Sequence, residues 1–118
     1  MGSCFSPLEQ AVLTAICEMY SSDQAVLGAQ LATATLLSRE NTGAGFYTRF
    51  AVERAASATL AGGRSRAGPE TKIDGLRHGM GFILWLKEGY ADCLEGYSYG
   101  ESTTGLALEA VGFEVLRG

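Results

Sequence analysis

Five consecutive apolar residues, Phe82-Ile83-Leu84-Trp85-Leu86, run directly into Lys87-Glu88-Gly89. An unbroken apolar run of this length, closed by turn residues, reads as a β-strand with no face that expects water. It should lie deep in a sheet or be covered on both sides. Gly89 suits a turn position that needs positive φ, and Tyr90 to Tyr99 then returns antiparallel. Two registers compete. A two-residue loop sets Leu84 against Cys93 and Phe82 against Glu95. A bulge at Gly89 sets Leu84 against Asp92 and Phe82 against Leu94, and is preferred because it pairs two apolar side chains, with Asp92 as its weak point. A slip of one residue would exchange the two faces of the strand.

The chain of 118 residues suits a single domain spanning 1–118. With 47% apolar and 19% charged residues it is globular rather than disordered. Nine basic against thirteen acidic residues leave a net charge of −4, which argues against a nucleic-acid partner. Only Arg64-Ser65-Arg66 is locally basic, within a glycine-rich stretch. Three cysteines at wide spacing and one histidine supply no zinc motif, and no cofactor is expected. Reduced, mostly buried cysteines fit a cytoplasmic location. No apolar run approaches the roughly 18 residues of a membrane span. Met1-Gly2-Ser3-Cys4-Phe5-Ser6 matches the form of a myristoylation signal at Gly2, with Cys4 open to palmitoylation. An ordinary start of small residues is the preferred reading.

Along the chain, 1–5 reads as a loose leader. Ser6-Pro7-Leu8-Glu9 is a helix start with a capping box. Leu8, Val12, Ala15, Ile16 and Met19 then share one face to about Tyr20. Asp23 can cap a second, shorter helix with Val26, Leu27 and Leu31 inward. Thr35 to Glu40 and Phe46 to Val52 read as strands joined by the turn cluster Asn41 to Gly45. Phe46, Thr48, Phe50 and Val52 take one face, and Tyr47, Arg49 and Glu53 the other. Residues 61–72 read as a flexible loop. Ile73 and Leu76 anchor a short strand or bend. After a polar turn region, Leu106, Leu108 and Val111 pack back, and Phe113 to Leu116 finishes as an edge strand. The expected fold is α+β, two N-terminal helices packed on an antiparallel sheet of about four to six strands.

The stretches Arg39-Glu40-Asn41-Thr42-Gly43-Ala44-Gly45-Phe46-Tyr47, His78-Gly79-Met80-Gly81-Phe82 and Leu94-Glu95-Gly96-Tyr97-Ser98-Tyr99-Gly100 resemble a family of small uncharacterised bacterial proteins. The likeness runs from the second helix onward. It implies a bacterial, cytoplasmic α+β protein and carries no activity or catalytic residue onto this chain.

Four constellations carry candidate chemistry. Arg39 and Glu40 beside Gly43 and Gly45 could hold an anion, although the glycines join two strands instead of opening a helix as a phosphate loop does. Glu95 lies in an apolar strand and must find a partner or shift its pKa; an ion pair with Arg39, Arg49 or Arg77 is the structural alternative to a functional role. His78 lies in a glycine-flanked approach to the central strand and could act with Glu95 in a small hydrolase. No G-x-S-x-G turn supports a nucleophilic serine, and Cys93 reads as a buried, inert thiol. Tyr47, Trp85, Tyr90, Tyr97 and Tyr99 could line one sheet face, as binding surface or as core. The preferred reading is a non-enzymatic module that binds a protein partner or small ligand through the sheet face or through Arg39, Glu40, Tyr47, Arg49, His78, Trp85, Glu95 and Tyr97. A hydrolase using His78 and Glu95 is the rival. Homodimerisation through the edge at 113–116 or through an uncovered sheet face is a further expectation.

Overall fold

The structure is a computed structural model that describes residues 4–56 and 58–116. Helix α1 spans Pro7–Met19 and α2 spans Gln24–Ala32. Seven strands follow: β1 Thr35–Asn41, β2 Gly45–Ala51, β3 Ser65–Ala67, β4 Glu70–Ile73, β5 Leu76–Lys87, β6 Tyr90–Ser98 and β7 Phe113–Leu116. They form one antiparallel sheet in the order β1-β2-β6-β5-β4-β7, with β3 pairing β5. This is the expected α+β arrangement with a slightly larger sheet.

Helix α1 begins as its sequence dictates. The Ser6 hydroxyl accepts from the Glu9 amide at 3.2 Å, and the Glu9 carboxylate accepts from the Ser6 amide at 2.8 Å. Its apolar side, Leu8, Val12, Leu13, Ala15 and Ile16, is buried. Leu8, Val12, Leu13 and Ile16 form one core with Leu27 and with the sheet residues Phe46, Phe50, Met80, Phe82, Leu84 and Leu94. Met19, expected on that inner face, is exposed at the helix end. Asp23 precedes α2 but makes no side-chain cap; its carboxylate takes the Arg66 Nε–H at 2.8 Å instead. A charged partner outcompetes a free helix amide for the same oxygen.

Two expectations of loose chain are corrected. Of the leader 1–5 the described residues are Cys4 and Phe5, and Phe5 is buried edge-on against Phe50, with ring centroids 5.1 Å apart. The acylation candidate Gly2 lies outside the described residues. The stretch 61–72 holds β3 and the start of β4, both paired with the long β5. Arg66 organises it. This side chain is buried, bound to Asp23, and donates to the carbonyls of Ala61, Gly62 and Ser65. Glycine-rich composition suggested mobility, but edge pairing and one buried arginine outweigh it.

The β5–β6 hairpin adopts neither expected register. Glu88 and Gly89 both take positive φ, 56° and 84°, the signature of a two-residue type I′ turn. Lys87 faces Tyr90 and Leu86 faces Ala91. Asp92 is then an extra residue on β6, so that Trp85 faces Cys93, Leu84 faces Leu94 and Phe82 faces Gly96. The bulge has a clear physical cause. Without it Cys93 and Glu95 would enter the core and Leu94 would leave it. With it Leu94 is fully buried and Asp92 projects into water.

The apolar run of β5 is also covered on one side only. Met80, Phe82, Leu84 and Leu86 are buried under the helices. On the opposite face Ile83 is half-buried and Trp85 is 39% exposed. The strand is central in the sheet, but among the described residues no helix or strand lies over its second face.

Candidate functional site

Register alone assembles the uncovered face. On β2 it carries Tyr47 and Arg49, which pair with Glu95 and Cys93 of β6. Those residues in turn face Ile83 and Trp85 of β5. Tyr97 follows on β6 opposite Gly81, and its ring lies across that glycine, where an added Cβ would sit 2.5 Å from the ring. Glycine at this position lets the tyrosine lie flat on the sheet.

Glu95 is the centre of the arrangement. Trp85 donates its indole N–H to Glu95 Oε1 at 2.9 Å. Among the described residues no lysine or arginine nitrogen lies within 4.0 Å of this carboxylate. The expected ion pair with Arg39, Arg49 or Arg77 is therefore not formed. Arg49 instead lies over the Tyr47 ring, 5.0 Å from its centroid, and 3.6 Å from Glu40 on β1. Tyr97 meets Tyr99 edge-on at 5.6 Å, and the Tyr99 hydroxyl donates to both oxygens of Glu70 at 2.6 and 2.5 Å. Partial burial and the Glu70 carboxylate together push that phenol well above the ordinary tyrosine range.

Arg39 and Glu40, read together as a loop pair, point to opposite faces of β1. Arg39 goes under the sheet to Glu9, while Glu40 stays on the open face. Alternation along a strand requires this separation. Gly43 and Gly45 serve the β1–β2 turn, where Gly45, at φ 145°, leaves no room for a side chain against the Gly96 carbonyl.

His78 is exposed on β5, five residues before the register partner of Glu95, or roughly 16 Å along the strand. Its amide and that of Arg77 both donate to the Glu101 carboxylate at 2.8 Å, which holds Glu101 below the usual carboxylate range. Glu95 and His78 are thus not brought together as an acid–base pair. Burial pushes the Cys93 thiol up to about 11, beneath the face it shares with Arg49 and Trp85. At neutral pH it is a thiol, not a nucleophilic thiolate.

Comparison with protein-family models, with curated proteins and with solved structures finds no match.

Two further features were not anticipated. The sequence motif assigns Glu9 a capping role alone, yet it is buried and receives two bonds from Arg39, at 2.8 and 2.9 Å, and one from the Thr48 hydroxyl at 2.5 Å. Gln30 is fully buried. It donates to the carbonyls of Ala58 and Gly89 and accepts from the Ala91 amide, which pins α2 to the β5–β6 turn. Its place beside Val26 and Leu27 in the helical repeat was the available signal. A groove of about 730 Å³ also runs along α1 and α2, lined by Leu13, Cys17, Gly28 and Leu31 among others. Among the described residues no group of three or more potential ligand side chains is placed to hold a metal ion, and no helix is long and apolar enough to cross a membrane.

Proposed function

We propose that this chain is a non-enzymatic interaction module that recognises a protein partner through the uncovered sheet face bearing Tyr47, Arg49, Trp85, Glu95 and Tyr97. One observation carries the reading. The strand whose sequence is apolar at every position from Phe82 to Leu86 leaves its tryptophan 39% exposed on a face that no layer of the described residues covers. Tryptophan and tyrosine combine large apolar area with a polar tip, and they concentrate at recognition surfaces for that reason. The side chains are also held in place before any encounter, by Trp85–Glu95, Arg49–Tyr47 and Tyr97–Tyr99 contacts. Preorganisation of this kind lowers the entropy cost of association.

Affinity capture from the native host tests the proposal. Wild-type protein and a Trp85→Ala/Tyr97→Ala variant with unchanged circular dichroism are compared. A partner retained by the first and lost by the second supports it. A partner held equally by both contradicts it. The hydrolase alternative gains no support from the separation of His78 and Glu95.

A further inference from the structure

The chemistry of the open face narrows the partner, given the reading above on which this step rests. Glu95 is a half-buried carboxylate with one oxygen tied to the Trp85 indole, and no lysine or arginine nitrogen of the described residues lies within 4.0 Å of it. Around it stand Tyr47 directly opposite on β2, Ile83 directly opposite on β5, Trp85 and Arg49 at the diagonals, and Tyr97 two residues along β6; Arg49 is turned onto the Tyr47 ring and toward Glu40 instead of the Glu95 carboxylate. A carboxylate with three aromatic side chains about it is a setting for a cation, because both the charge and the ring quadrupoles attract it. The chain displays the same chemistry next door, where its own Arg49 lies over Tyr47. The net charge of −4 draws basic partners from a distance.

We infer that the open face takes an arginine side chain of a basic protein segment, stacked on Trp85 and paired with the free edge of the Glu95 carboxylate. Arginine is favoured over lysine because a planar guanidinium can stack and donate at the same time, whereas an ammonium is a compact, strongly hydrated charge. Neighbouring side chains of that segment would rest on Tyr97 and Tyr99.

Trp85 is the single tryptophan of the chain, so its fluorescence reports on the site directly. The probe is a blocked Gly-Arg-Gly peptide, set beside its lysine and citrulline counterparts. Citrulline keeps the planar shape and removes the charge. The expected result is a saturable change in Trp85 emission with the arginine peptide in the millimolar range, weaker with lysine and absent with citrulline. Glu95→Gln retains an acceptor for the Trp85 N–H and should weaken the arginine response about tenfold, or about 1.4 kcal/mol. An equal response to citrulline, an undiminished response in Glu95→Gln, or no saturable response to the arginine peptide overturns the inference. Host-partner capture that survives Glu95→Gln but fails in Trp85→Ala/Tyr97→Ala also overturns it, and leaves the broader proposal standing. Capture indifferent to both variants removes the broader proposal instead.

Discussion

Arg39 clasps Glu9 across thirty residues of chain, Nε to Oε2 at 2.9 Å and Nη2 to Oε1 at 2.8 Å, and so fastens the first helix to the edge strand β1. The Glu9 side chain is 4% exposed and the Arg39 side chain 26%. Removal of one member of a buried pair leaves the other charged and unpaired, which costs more than the pair itself contributes. Arg39→Ala should therefore lower stability by about 3 kcal/mol, measured by urea unfolding. A loss comparable to that of an exposed ion pair would show that water reaches Glu9.

Acid should loosen the same joint. Burial alone would raise the Glu9 pKa, but the bonds from Arg39, Thr48 and the Ser6 amide, with the Arg39 charge, outweigh it and hold the group below 4.5. A carboxylate depressed in the folded state contributes stability above its unfolded value. That contribution disappears as pH falls from about 4.5 through the folded value, because the unfolded chain takes up the proton first. Urea midpoints measured downward from pH 5 should fall in the wild type, and more gently in Glu9→Gln.

Gln30 offers an independent test on the other helix. Its amide satisfies two carbonyls and one amide of buried backbone. Gln30→Leu fits in size but strands those groups, so a loss of about 2–3 kcal/mol is expected despite the gain in apolar volume. Hydrogen exchange at the Ala91 amide should rise in the same variant.

Local signals in the sequence were the readable ones. Ser6 and Glu9 announced the start of α1, and alternation at Phe46, Thr48 and Phe50 announced the inward face of β2. Contacts between distant residues were not readable. The capping role of Glu9 hid its larger part, because nothing near it in sequence names Arg39 or Thr48. The apolar run at β5 suggested two covered faces, but Ile83 and Trp85 find their neighbours sideways, on the strands beside them. The hairpin register failed for a similar reason. Both candidate registers placed a carboxylate, Asp92 or Glu95, opposite a core side chain. The extra residue at Asp92 turns both carboxylates away from the core, a register that neither a plain two-residue loop nor a bulge at Gly89 produces.

The candidate face was partly legible. Tyr47, Arg49, Trp85, Glu95 and Tyr97 do share one side of the sheet, while Arg39 is drawn beneath it and His78 lies toward its far end. Strand parity determines such grouping only once the bulge is known, and the bulge depends on tertiary burial.

Acrylamide quenching of Trp85 tests the open face most directly. The account predicts quenching in the folded protein well above that of a core indole and below that of free tryptophan, matching a residue 39% exposed and tethered by its indole N–H to Glu95. A Trp85 as inaccessible as a core indole in the monomer would mean that a layer covers this face, and would contradict the account.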